Sequence, residues 1–124
     1  MRKIVAMFAT GDLSAVNSVI AAGYIDHQGL PGIDITGPHG FSRVVKAARS
    51  AFSDLRVSIE DLIGEDDKVA ARLQWHGIRL AGGKLDRETV DIVRFANDQA
   101  VEHWGIRLWI SEDSAGGPSS DDGR

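Results

Sequence analysis

At 124 residues, 43% hydrophobic and 26% charged, the chain has the size and balance of one globular domain with a real core, and is too short for two. A formal charge of −4, with no run of Lys and Arg, argues against a nucleic-acid binder, which would normally show a basic patch. The lack of cysteine excludes disulfides, thiolate nucleophiles and Cys-ligated metals.

In chain order, residues 2–9 read as the remnant of a helix stopped at Gly11. Its basic start precedes only a short apolar run, so it is not read as a signal peptide, and no apolar stretch approaches the roughly 18 residues that cross a bilayer. No membrane partner is expected, and a cytoplasmic location is the default. Asp12 or Ser14 can cap a second helix carrying Leu13, Val16, Val19 and Ile20, with Gly23 placed to end it. Tyr24, Asp26 and His27 follow where that helix runs out, near the mouth of an expected cavity. A Gly- and Pro-rich loop spans residues 29–40, and a third helix is expected from about His39 to Phe52. It carries Phe41, Val44, Val45, Ala48 and Phe52 on one face.

From Leu55 the period changes to two. Leu55, Val57, Ile59 and Asp61 alternate with Arg56, Ser58 and Glu60 as a half-buried strand. Turns at residues 64–67 and 81–84 bracket a strand over 68–80, in which Val69, Ala71, Leu73 and Trp75 alternate with polar residues. A last hairpin turns at Asn97-Asp98. From Ser111 the chain is too polar to pack, so a domain over 1–110 and a disordered tail over 111–124 are expected. Helices first and hairpin-linked strands afterwards predict an α+β domain: helices on a strongly bent antiparallel sheet, forming a cone that suits a small apolar ligand.

Six segments in order carry a family resemblance: Phe8-Ala9-Thr10-Gly11-Asp12-Leu13, Tyr24-Ile25-Asp26-His27, Ala51-Phe52-Ser53-Asp54-Leu55, Asp67-Lys68-Val69-Ala70-Ala71-Arg72, Arg94-Phe95 and Val101-Glu102-His103-Trp104. Over roughly residues 4 to 105 the chain resembles the SnoaL-like polyketide cyclases of the NTF2-like superfamily, which also holds ketosteroid isomerase and limonene-epoxide hydrolase. The resemblance implies the NTF2-like cone and cofactor-free acid/base chemistry on a small apolar carbonyl compound. It also implies a homodimer through the outer sheet face. In the cyclases an aspartate after the Glu-His-Trp-type segment is the acid/base, and a histidine on the preceding strand positions the substrate. By position these fall on Gly105 and Asp91. The water-activating Arg-x-Asp of the epoxide hydrolases falls on Arg72-Leu73-Gln74. Both borrowed mechanisms thus lack a residue, and fold alone does not assign function.

The residues themselves offer another site. If the last hairpin has an odd-length loop, Asp91, Val93, Phe95, Val101, His103, Gly105 and Arg107 share one face, and Ile92, Arg94, Glu102 and Trp104 the other. Asp91 and His103 then form a carboxylate–imidazole pair fit for proton transfer, though such pairs are often only structural. Arg72 is a candidate for holding a developing oxyanion, and Gln74, Tyr24, Trp75, Phe95 and Arg107 are candidate substrate contacts. Arg94 and Glu102 read as a cross-strand ion pair on the outer face. His27, His39, His76 and His103 lack metal-ligand spacing, so no metal is expected. No phosphate-cradling loop or nucleophile elbow occurs, so no cofactor is expected either. A water-using enzyme of the epoxide-hydrolase type and a non-catalytic ligand-binding or assembly protein remain the alternatives.

Overall fold

The computed structural model describes residues 1–27 and 35–107; the expected tail over 111–124 lies outside them. The elements run α1 (Arg2–Thr10), α2 (Val16–Val19), β1 (Ile20–Asp26), α3 (Gly37–Ala51), β2 (Phe52–Glu65), β3 (Lys68–Arg79), β4 (Lys84–Ala96) and β5 (Gln99–Arg107). The sheet order is β1-β5-β4-β3-β2. The β2 to β5 meander is antiparallel as expected, and β1 adds a parallel strand against β5, making the sheet mixed. Helices pack on one face of this curved sheet, which does not close. Among the described residues no helix is long and apolar enough to cross a membrane.

The second helix is much shorter than its apolar spacing predicts. Helical structure ends at Val19, Ile20 is already extended, and residues 20–26 form the strand. β-Branched Val19, Ile20 and Ile25 favour extension, and pairing with β5 supplies the tertiary bonds that override helical periodicity. Asp12 does not cap that helix; its carboxylate accepts the Ser14 N–H at 2.9 Å, closing a local turn. The third helix starts two residues earlier than read, at Gly37-Pro38, where proline in the first turn needs no donor. α1 stops at Gly11 in the left-handed conformation, φ 79°, with its N–H on Met7 O. Arg49 of α3 then donates to the carbonyls of Phe8 and Ala9 at 2.8 and 3.0 Å, satisfying orphan acceptors and tying α3 to α1.

Bulges decide which face each strand presents. Leu55, Val57 and Ile59 point inward, but the extra residue Glu60 flips the register, so Asp61 lies opposite Arg72 instead of extending the apolar row. The last hairpin closes through a two-residue turn, Asn97 and Asp98 at φ 53° and 64°, and not through an odd loop. A bulge at Val101 restores the shared parity, pairing Arg94 with Glu102, Val93 with His103 and Asp91 with Gly105. Ala100, not Val101, sits opposite Phe95.

The main core lies between the helices and the concave sheet face. Ile4, Met7, Ile20, Phe41, Val45 and Val93 meet there, with Phe95 packed against them. Phe8 contacts Phe41 and Trp75 edge-on, with ring centroids 5.7 and 5.4 Å apart, and Tyr24 meets Phe41 in the same way at 6.0 Å. These aromatics brace the helices without filling the space above the sheet.

Candidate active site

That space is a cavity of about 500 Å³. Its walls are largely apolar, from Ile4 and Phe8 of α1 and Phe41 and Val44 of α3 to Leu73 and Val93 of the sheet. Tyr24, Asp26, Arg87, Thr89, Asp91 and His103 add a polar strip. The strip follows from strand geometry. Arg87, Thr89 and Asp91 alternate along β4 on the face that also carries Val93, and the cross-strand pairing puts His103 beside Val93. Parallel pairing of β1 with β5 sets Asp26 next to His103.

The side chains form one chain of contacts. Trp75 donates its indole N–H to Thr89 Oγ1 at 2.9 Å, and the Thr89 hydroxyl donates to Asp91 Oδ2 at 2.7 Å. Asp91 Oδ1 lies 2.8 Å from His103 Nε2, and His103 Nδ1 lies 2.9 Å from Asp26 Oδ1. The Tyr24 hydroxyl donates to Asp26 Oδ2 at 3.5 Å. His103 and Asp91 side chains are each 14% exposed and Asp26 8%, so the charges sit in a dry environment.

Burial alone would push the His103 ring toward neutrality, but hydrogen bonds to Asp26 and Asp91, and their charges, outweigh it and raise the pKa to about 9. A pKa raised to about 9 favours the imidazolium form at neutral pH, in which both N–H groups can donate. Tyr24 is pushed well above the usual phenol range, first by burial and then by the Asp26 and Asp91 carboxylates. It stays a neutral hydroxyl donor throughout the ordinary pH range. The arrangement can accept a proton on a carboxylate, hold that carboxylate still, and offer a neutral donor nearby.

Asp91, His103, Tyr24 and Trp75 thus converge on the cavity. Arg72 and Gln74 do not, which corrects their assignment. Ala71, Leu73 and Trp75 take the inner face of β3, and the even-numbered side chains turn outward. Arg72 bridges Asp61, at 2.6 Å, and Glu88, and Gln74 donates to Asp86 at 2.8 Å. The Arg72-Leu73-Gln74 segment consequently brings no water-activating pair to the cavity. Phe95 is core, not cavity lining. The Arg107 backbone pairs with Thr89, and its side chain lies outside the described set.

On the outer face the Arg94–Glu102 ion pair forms at 2.9 Å. Glu102 also meets His27 at 2.6 Å, and His27 stacks on Trp104 with ring centroids 5.4 Å apart. Sequence reasoning missed Thr89 and Arg87, although the two-residue period through Asp91 marks both. It set Asp26 only near the mouth, because reading residues 13–23 as helix hid the strand that delivers it.

Residues 1–107 match the family model described as SnoaL-like polyketide cyclase. No curated protein matches the chain. Among solved structures, TsrD from Streptomyces laurentii superposes with a TM-score of 0.77 at 21% identity, covering 86% of this chain and 84% of that one. A Bacillus cereus protein proposed to be a polyketide cyclase gives 0.76 at 25% identity, covering 85% and 69%. A Catenulispora acidiphila protein with a ketosteroid isomerase-like fold gives 0.70 at 16% identity, covering 82% and 79%.

Proposed function

The chain belongs to the SnoaL-like polyketide cyclase family, and from that premise we propose that it is a cofactor-independent cyclase or isomerase acting on a small, apolar, polyketide-like carbonyl compound. The observation that carries this reading is the carboxylate–imidazolium strip sunk in an otherwise apolar cavity. Asp91 removes the proton beside the carbonyl. The C–H electron pair becomes a C=C bond, and the carbonyl π pair moves to oxygen, to which the Tyr24 hydroxyl, turned from its 3.5 Å contact with Asp26, donates a hydrogen bond. Asp91 then returns the proton to another carbon, completing an isomerisation. Alternatively the enolate carbon attacks a second carbonyl, closing a ring, and the new alkoxide takes that proton.

His103 orients Asp91 through its Nε2 contact, and the apolar walls select the substrate body. Asp91 does the proton transfer that the relatives' pattern would assign to position 105, where this chain has glycine. Gly105 pairs directly across from Asp91, so the base stands one strand away from its usual place.

The natural substrate is not needed to test this. 2-Tetralone, a compact two-ring ketone, exchanges its α-protons slowly in neutral D2O. The protein is expected to accelerate that exchange with saturation kinetics, read by proton NMR. Exchange at the buffer rate, with or without binding, contradicts the reading. Saturable binding without exchange would instead favour a ligand-binding protein, the reading that Gly105 supports.

Assembly follows the same logic. The outer sheet face, with Trp104 beside the Arg94–Glu102–His27 cluster and Ile106 62% exposed, is proposed to pair two copies. Sedimentation velocity is expected to give a dimer that an Ile106→Lys variant weakens; a monomer at all concentrations contradicts it.

A further inference from the structure

Asp26 carries no role in the reaction above, yet its side chain is only 8% exposed and meets the His103 ring. β1 is an edge strand held as a parallel partner of β5, and its register puts Asp26 beside His103. The backbone fixes it there: His27 N–H donates to the carbonyl of His103 at 2.9 Å, and Asp26 N–H donates to that of Ile35 at 3.3 Å. The residue that bonds the His103 ring is thus anchored one peptide away from His103's own carbonyl.

The ring's two nitrogens lie 2.8 and 2.9 Å from carboxylate oxygens on opposite sides. A neutral imidazole has one N–H, so its other nitrogen would turn a lone pair toward an anionic oxygen. Two N–H donors satisfy both contacts, and each carboxylate favours that state. We propose that Asp26 is a positioning residue of the site: by accepting from Nδ1 it locks His103 as a doubly protonated ring, which keeps Nε2–H on Asp91 and leaves Asp91, not His103, as the base. This rests on the reading of Asp91 as base given above.

Among the described residues, few titratable or charged groups line the space around the ring. β1 contributes Tyr24 and Asp26, and β4 contributes Asp91, with Arg87 two alternations further along. Met1, whose amino group is pushed below its ordinary pKa by burial and by Arg2 and Lys3, also lines this space, while α1, α3, β2 and β3 present apolar side chains and the Trp75 indole to it. Among the described residues, Asp26 and Asp91 are accordingly the carboxylates that hold the proton on the ring.

Nitrogen-15 NMR of the His rings, with His103 assigned by its loss in a His103→Gln variant, tests this in two steps. In the natural protein both His103 nitrogens are expected to be protonated at pH 7; a neutral ring overturns the inference, and this step needs no variant of Asp26. In Asp26→Asn, whose amide oxygen can still accept from Nδ1, the ring's titration midpoint is expected to fall by about one to three pH units. An unchanged midpoint overturns it. In the 2-tetralone assay, Asp26→Asn is expected to slow exchange about tenfold, less than loss of a general base does. The pH inflection of the exchange rate should move down with the ring. A loss as large as that of Asp91→Asn would make Asp26 the base and overturn the positioning role. If the natural protein exchanges no 2-tetralone while the ring behaves as expected, the proposed reaction fails and the Asp26–His103 lock stands.

Discussion

Replacing Asp91 by Asn is expected to slow α-proton exchange of 2-tetralone about a thousandfold, within the usual contribution of a positioned general base. The substitution is nearly isosteric. The amide oxygen can still accept from either His103 Nε2–H or the Thr89 hydroxyl, which now contact Oδ1 and Oδ2. The fold and the cavity should survive, and the affinity for 2-tetralone should change little. An amide has no useful basicity, so the loss should fall on the maximal rate and not on the half-saturating concentration. Retained exchange would show that another group takes the proton.

The second large effect concerns His103. A His103→Leu variant leaves Asp26 and Asp91 in the cavity wall without the cation between them, and neither is more than 14% exposed. Removing one partner of a buried ionic contact costs about 3–5 kcal/mol, and the melting temperature should drop by about 10–20 °C at neutral pH. The pH dependence separates this from a simple packing loss. The ring's folded pKa of about 9 lies above its ordinary 6.5, so its stabilisation is complete below about pH 6.5 and is lost as pH rises through about 9. By linkage it is worth as much as about 3 kcal/mol. The variant loses that contribution. The gap between the two proteins in chemical denaturation should therefore be full below about pH 6.5 and narrow as pH rises toward about 10. A gap independent of pH would contradict the account.

The parts of the site legible in the sequence are those set by strand alternation and a short hairpin. Asp91 and His103 share a face because two-residue periodicity runs through β4 and β5, and the Val101 bulge offsets the even turn. Arg72 and Gln74 were ambiguous for a physical reason. β3 is flanked by strands on both sides, and its polar residues could face a cavity or neighbouring carboxylates; Asp61, Glu88 and Asp86 take them outward. The Glu60 bulge that aims Asp61 at Arg72 has no sequence mark beyond an ordinary alternating run. Asp26 was out of reach because Val16, Val19 and Ile20 fit a helical row, and only pairing with β5, about 80 residues later in sequence, makes residues 20–26 a strand. The fold as a whole was more accessible, since the six matched segments span it.

The most direct measurement of the central claim is the stereochemistry of deuterium uptake at C1 of 2-tetralone. Asp91 approaches a bound ketone from one cavity wall, so the natural protein should introduce a single deuterium on one face of C1. Mass spectrometry and NMR should show monodeuteration well before a second deuterium enters. Non-stereoselective uptake at the buffer rate would contradict proton transfer by a fixed base in this cavity.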